Sequence, residues 1–377
     1  MAKILTARQA VDTYFYDGAT VTFGGFANGL MHPEEIMVAL EEAARSSGHP
    51  RGLRVVYASG QGDSGERGLN HLAVDGMCTT VIGGHWGLAP KLGGLAAENK
   101  LAAYNLPQGV ISGLFREIAA KRPGVITHVG LDTFVDPRLE GGKMNRAAHE
   151  AGDMVKLIEL EGEEKLFYPA FPIDIAVIRA TYADERGNCT FEREGVYAEA
   201  LAQAQAAHNS GGRVIVQVEK VVSYGCLDAR LIRLPGIYVD ALVVARPENH
   251  MQTFGTQYDP AFPERSAPSD ALSPLPMGAR KIIARRAAME LTPCAVTNLG
   301  IGMPEGVASV AAEEGLESMV LTTEVGAVGG VPAGGMDFGA PPMWTAFWSS
   351  RFNSTFMTGA DWIRHFSAWP KWTGTGM

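Results

Sequence analysis

A single carboxylate stands between an apolar run and a glycine-rich turn in Leu321-Thr-Thr-Glu-Val-Gly-Ala-Val-Gly-Gly-Val-Pro332, which makes Glu324 the candidate nucleophile. Upstream, Ser318-Met-Val-Leu-Thr322 reads as a short buried strand. Gly326, Gly329 and Gly330 let the backbone turn sharply and approach a ligand where a Cβ would interfere. The carboxyl end of a strand in an open α/β sheet is where such sheets bind substrates. The competing reading is a solvated glutamate at the mouth of a turn. Gln108, on the Pro/Gly turn of Ala103-Tyr-Asn-Leu-Pro-Gln-Gly109, carries an amide that either donates to an oxyanion, with no pKa to tune, or faces water. His85, in Val81-Ile-Gly-Gly-His-Trp-Gly87, has no serine or cysteine partner in a recognisable motif and reads as structural or pocket-lining.

The elements that must position these residues repeat one design. Ala19-Thr-Val-Thr-Phe23 is a buried strand delivering the chain into Gly24-Gly-Phe-Ala-Asn-Gly29, and Pro33 in the first turn with Glu34 and Glu35 starts a helix. Strand, glycine turn and helix present backbone N–H groups to an anion. The turn matches neither a G-x-G-x-x-G dinucleotide fingerprint nor a P-loop. Strands follow at Arg54-Val-Val-Tyr57, Val81-Ile82 and Val125-Ile126, with a partly β excursion through Leu157–Gly162 and Glu164–Tyr168. A central strand is expected over Ile173–Ala180, an alanine-rich helix over Glu194–Ala207, and further strands over Gly212–Glu219 and Tyr238–Ala245. Strands alternating with helices to residue 245 indicate a mainly parallel, doubly wound α/β sheet. From Arg246 to Gly278 six prolines and little periodicity read as an interdomain linker. Ala279–Glu290 is then helical, Ala295–Gly300 a strand, and Gly300-Ile-Gly-Met-Pro-Glu-Gly306 opens another helix, so the order of the first half begins again and a duplicated domain is expected.

At 377 residues and 46% hydrophobic content the chain is long enough for two globular domains. A net charge of -9 argues against nucleic acid and anionic membranes as partners and favours a small molecule. Cys78, Cys189, Cys226 and Cys294 are far apart with no C-x-x-C pair, which suggests neither a zinc site nor a disulfide framework and fits a reduced cytoplasm. No signal-peptide core and no membrane-length apolar run are present in the sequence.

Taken in order, Gly24-Gly-Phe26, Leu106-Pro-Gln-Gly109, Asp136-Pro-Arg-Leu-Glu-Gly-Gly-Lys143, Phe171-Pro-Ile-Asp174, Asn298-Leu-Gly-Ile-Gly302 and Thr323–Pro332 resemble the family I CoA-transferases, in particular the single-chain acetate or propionate type with fused α and β halves. The resemblance covers about residues 1 to 340. It implies two related α/β domains with mainly parallel sheets, exchange of CoA between an acyl-CoA and a short-chain carboxylate, and a homo-oligomer at full length. By the resemblance Glu324 is the catalytic glutamate and Gln108 a donor of the oxyanion hole. Gly24, Gly25, Phe26, Gly300, Gly302, Gly326, Gly329 and Gly330 are then the residues lining the CoA cleft between the halves. No metal or redox cofactor is required, and coenzyme A is a substrate. A glutamate suits the work because it is a carboxylic acid like the substrates, so exchange through an anhydride and a glutamyl-CoA thioester is nearly thermoneutral.

Past Gly339-Ala-Pro the family pattern stops, and five of the six tryptophans follow. Back-translating Phe352–Met377 and reading two bases along gives QFDFYDGRGLDTTFLGLAEVDRDGN, which resembles the family's next segment. The expectation is a frameshift near residue 341, a first domain over 1–245, a linker over 246–278, a truncated second domain over 279–340 and an aberrant tail over 341–377. The nucleotide sequence around codon 341 decides it. Three other readings stay open: an inactive remnant or acyl-CoA-binding pseudoenzyme, an acyl-CoA hydrolase, and, more distantly, a sugar-phosphate isomerase.

Overall fold

The computed structural model describes residues 2–263, 274–291, 294, 296–300, 302–316, 320–323, 325–329, 333–340, 346–347 and 364–366. The chain forms two compact units, Met1–Tyr258 and Asp259–Met377.

In the first unit β1 (Lys3–Leu5) and α1 (Ala7–Tyr14) lead to β2 (Thr20–Phe23), α2 (Glu34–Ser47), β3 (Leu53–Tyr57), β4 (Cys78–Gly83), α3 (Pro90–Ala97), β5 (Ala102–Asn105) and α4 (Gln108–Ala119). β6 (Gly124–Thr127), α5 (Arg146–Ala151), β7 (Lys156–Leu160) and β8 (Glu163–Pro169) come next. The unit then runs through β9 (Ile175–Arg179), β10 (Tyr182–Asp184), β11 (Cys189–Thr190), α6 (Ala200–Asn209), β12 (Arg213–Val218), β13 (Lys220–Val222), β14 (Ile232–Leu234) and β15 (Ala241–Val244). Eight strands form one sheet in the order β1-β15-β12-β9-β2-β3-β4-β5, and every pairing in it is parallel. β2 and β9, at its centre, are buried at every residue, as strands covered on both faces must be. On one face α1, α2 and α3 pack a core that includes Phe23, Leu40, Tyr57 and Leu92. α6 packs on β9 and β12, and α4 packs on α6.

Local signals explain the helix ends. Thr6 and Gln9 form a reciprocal capping box at α1, whose Ala7, Ala10 and Val11 are buried at helical spacing. α2 carries Glu34 and Glu35 in its first turn and stops at Gly48 in the left-handed conformation, φ 73°.

The second unit holds α7 (Ala279–Ala288), β16 (Val296–Leu299), α8 (Glu305–Glu313), β17 (Val320–Thr322), β18 (Ala327–Val328), β19 (Ala346–Phe347) and β20 (Arg364–Phe366). β16 pairs in parallel with β17 and β20, while β17–β18 and β18–β19 are antiparallel. Ala284, Ala288, Leu299, Val307, Val310 and Leu321 form its apolar cluster. The order helix, strand, glycine turn, helix of α1–β2–α2 recurs as α7–β16–α8, with Pro33 and Pro304 each at the N-cap of the second helix.

The structure departs from the sequence reading at several points. Val125–Thr127 joins no parallel sheet: β6 pairs antiparallel with β8, which pairs antiparallel with β7. The alanine-rich helix begins at Ala200 and not at Glu194: Gly195 follows Glu194 and Ala198 adopts a left-handed backbone, φ 43°, which no α-helix passes through. Arg246–Tyr258, the front of the stretch 246–278 read as linker from its six prolines, belongs to the first unit, where Arg179 donates to Met251 O at 2.5 Å and Phe254 N donates to Asn28 O at 2.7 Å. Gln252 and Thr253 there are buried. The tail expected to be aberrant lies outside the described residues except for β19 and β20, two strands too short to leave a readable period.

Beside α2, His71 is clamped between two carboxylates, with Glu34 Oε1 2.9 Å from Nε2 and Glu41 Oε2 2.5 Å from Nδ1. Burial pushes the imidazole toward its neutral form, but Glu34 and Glu41 outweigh it and raise the His71 pKa above its usual value. A raised folded pKa gives stability that is fully present below the unfolded value of about 6.5 and is lost as pH climbs through the folded one. His71→Gln should therefore cost more stability at pH 6 than at pH 9, read as the difference in urea midpoint between variant and parent at each pH. An equal loss at both would show that the charge of His71 is not used.

Candidate active site

Four adjacent strands, β2, β3, β4 and β5, deliver small or polar residues to one carboxyl edge of the first sheet. After β2, Gly24 N donates to Val177 O at 2.8 Å. Gly25 has φ +140°, and a Cβ there would lie 2.9 Å from the His32 ring and 3.1 Å from the Gln61 amide carbon. Phe26 is buried, with its N donating to Leu30 O at 2.8 Å. Gln61, following β3, donates to Phe23 O and Gly25 O, both at 3.1 Å, which ties the β2 turn to its neighbour. Gly24, Gly25 and Phe26 are thus closely packed by protein, so their residue types are demanded by the turn itself.

His85 is half-buried at the end of β4 and fits there because Gly60 and Gly87 carry no Cβ; at Gly60 a Cβ would come within 2.3 Å of His85 Nδ1. Burial lowers the His85 pKa, leaving a neutral imidazole at pH 7. Gln108 is the first residue of α4, one step further into the helix than the turn position read from sequence. It is half-buried, and no hydrogen bond among the described residues engages its amide. Its backbone N–H lies in the first turn, where helix donors have no intrahelical partner and the dipole favours negative charge.

Two residues not singled out from the sequence hold this corner. With its nitrogen as donor, the Asn105 amide reaches Gly83 O at 2.9 Å and Gly84 O at 3.0 Å. Gly84 in turn leaves room for Gln108: a Cβ would sit 2.1 Å from Ala58 O and 3.0 Å from Gln108 Cα. Gly84→Ala should push the start of α4 off the sheet and cost about 1–3 kcal/mol of stability, the range for overpacking a tight site. Urea denaturation measures this, and an unchanged midpoint would show that the corner is slack.

In the second unit Asn298 on β16 donates to Thr322 O at 3.1 Å, locking β16 to β17 where β17 ends. Thr323 N donates to Ala327 O at 3.1 Å, Gly326 N to Thr323 O at 3.1 Å and Gly329 N to Leu321 O at 2.8 Å. Gly326 and Gly329 have φ +105° and +78°, so the hairpin needs both glycines. Val325 and Ala327 are buried. Glu324 and Gly330 lie outside the described residues. After β16, Gly300 is half-buried and Gly302, φ +90°, donates its N–H to Glu305 Oε1 at 2.7 Å, so that donor is already used by the helix that follows. Arg280 closes the same turn from α7, donating to Gly302 O at 2.5 Å and to Glu305 Oε2 at 3.1 Å.

The family description "Coenzyme A transferase" matches residues 4–245. The chain belongs to the coenzyme A transferase family. Among its relatives is the caffeate CoA-transferase of Acetobacterium woodii, 48% identical over 344 residues that make up 90% of this chain and 65% of the relative. The acetate CoA-transferase YdiF of Escherichia coli O157:H7 is 40% identical over 339 residues, 89% of this chain and 63% of that one. The chain therefore spans a little under two thirds of the length of these two transferases. A solved structure of the same E. coli acyl-CoA transferase, a thioester complex with CoA, superposes with a TM-score of 0.87 at 37% identity, covering 94% of this chain and 70% of that chain. In this coenzyme A transferase chain the mainly parallel α/β fold expected from the sequence is the observed one. No helix among the described residues is long and apolar enough to cross a membrane.

Proposed function

We propose that the protein exchanges CoA between an acyl-CoA and a free carboxylate, with Glu324 as nucleophile and Gln108 as an oxyanion donor. The observation that carries the reading is the kinship, at 40–48% identity over about nine tenths of the chain, to two proteins named as CoA-transferases. In the first half-reaction the Glu324 carboxylate attacks the thioester carbonyl, the C–S bond breaks, and CoA leaves as a thiolate with an acyl-glutamyl anhydride left behind. The thiolate then attacks the glutamyl carbonyl, releasing the first carboxylate and leaving a glutamyl-CoA thioester. The acceptor carboxylate repeats the two steps in reverse. Each tetrahedral intermediate places charge on one oxygen, and a neutral amide such as that of Gln108 donates to it without exchanging a proton.

Acetate and propionate are the proposed short-chain acceptors, and kinship to a caffeate CoA-transferase adds an aryl-substituted acid to those worth testing. Initial rates should be measured with acetyl-CoA against propionate and against caffeate at several concentrations of both substrates. Parallel double-reciprocal lines, the signature of ping-pong exchange, are expected. Release of free CoA with no acceptor dependence would instead support the hydrolase reading, and acyl-CoA binding with no turnover the remnant.

A further inference from the structure

Arg67 stands at the carboxyl edge of the first sheet, on the glycine-rich loop 60–68 that follows β3. Gln61 ties this loop to the β2 turn through Gly25 O, and Gly62 N donates to Ala27 O at 3.1 Å. The backbone on either side of Arg67 is fixed as well. Asp63 Oδ1 accepts from Gly65 N at 2.8 Å and from Arg67 N at 3.0 Å. Asn70 Nδ2 donates to Arg67 O at 2.9 Å, and Gly68 N donates to Glu34 Oε2 at 3.0 Å.

The side chain carried by this rigid backbone has no counter-charge. Arg67 is half-buried, and the acidic residue before it, Glu66, is paired with Lys91. Arg67 Nη1 donates to Met251 Sδ at 3.2 Å, and the guanidinium lies 5.4 Å from the centre of the Phe254 ring. A thioether is a weak acceptor and a ring face at that distance a weak attraction, so neither replaces the water a guanidinium loses on burial. Among the described residues no carboxylate forms an ion pair with Arg67, and its Nε and Nη2 are neither hydrogen-bonded nor closed to solvent. These two N–H donors lie on one side of a charge that does not titrate, the fork that grips a phosphate or carboxylate through two oxygens. In a chain with a net charge of -9, such an open cation is placed to draw an anion.

We propose that Arg67 binds a phosphate group of coenzyme A. This role rests on the exchange reaction proposed above, in which CoA is common to both half-reactions while the acid changes between them. A permanently charged fork on a fixed backbone suits the partner that does not change. The phosphate oxygens accept from Nε and Nη2, while Nη1 stays on Met251 and Phe254 braces the guanidinium. Phosphate lies far from the bonds that break, so this grip is the same in ground and transition states. It sets the affinity for CoA and leaves kcat alone.

Isothermal titration of the 377-residue chain with CoA should give saturable binding, and pantetheine, which carries no phosphate, should bind more weakly. Arg67→Gln should weaken CoA about tenfold or more, as loss of a charge-assisted pair does, and leave pantetheine unchanged. Dephospho-CoA separates the two sources of phosphate. If variant and parent bind it alike, Arg67 holds the ribose phosphate; if the variant binds it more weakly, Arg67 holds the diphosphate. In initial-rate measurements KM for acyl-CoA should rise in the variant, with kcat and KM for the acid unchanged. Circular dichroism shows whether Arg67→Gln folds; where it does not, Arg67→Lys, which keeps the charge and loses the fork, should still weaken CoA and spare pantetheine. A parent that binds CoA through Arg67 yet transfers none overturns the exchange reading alone. Equal affinity of parent and variant for CoA, pantetheine bound by the parent as tightly as CoA, or a rise confined to KM for the acid overturns the role of Arg67.

Discussion

Glu324→Gln is expected to abolish CoA exchange, with a fall on the order of 10⁴-fold or more, the scale seen when a covalent nucleophile is removed. An amide is close in size to the carboxylate, so binding of acyl-CoA should survive. What it lacks is the anionic oxygen that attacks the thioester and the means to form an anhydride. The loss should fall on kcat, with little change in the dissociation constant for the acyl-CoA. Equal rates in variant and parent would remove Glu324 from the chemistry.

The second large effect is expected at Gln108. Gln108→Ala should lower kcat by roughly 10²–10³-fold, the measured scale for deleting one oxyanion donor. Because the charge that Gln108 meets develops only in the tetrahedral intermediates, kcat and kcat/KM should fall together. Gln108 makes no hydrogen bond to the described residues, so its truncation leaves no protein partner stranded and the fold should keep its stability. A drop in stability with an intact kcat would mark it instead as a helix-start residue.

The sequence revealed the parallel sheet because its central strands are short and rich in β-branched residues: β2 read as a buried strand, β9 as a central one and β12 as a further one, and β2 and β9 are buried at every residue. The repeat of strand, glycine turn and helix was also legible, since Gly24-Gly25 with Pro33 and Gly300-Gly302 with Pro304 punctuate both units alike. The proline-rich reading of residues 246–278 misled over Arg246–Tyr258, which holds only Pro247 and where side-chain anchoring decides the packing: Arg179 reaches across 72 positions in sequence to Met251. The start of α6 was misjudged because alanine content carries no trace of the left-handed backbone at Ala198, φ 43°, that delays the helix to Ala200. His71 with Glu34 and Glu41, and Asn105 with Gly83 and Gly84, are pairings across separate elements that no periodicity records. At the candidate site the sequence pointed to Gln108 through its turn and the helix beyond it, and the structure adds that the amide is left unengaged.

The central claim is that acyl transfer passes through a covalent bond to one named carboxylate. The protein should be incubated with acetyl-CoA, reduced with borohydride or trapped with hydroxylamine, digested and sequenced by mass spectrometry. A modification confined to Glu324, and absent when free acetate and CoA replace the thioester, is the predicted result. Modification at another carboxylate, or robust exchange with no trapped intermediate at Glu324, would contradict it.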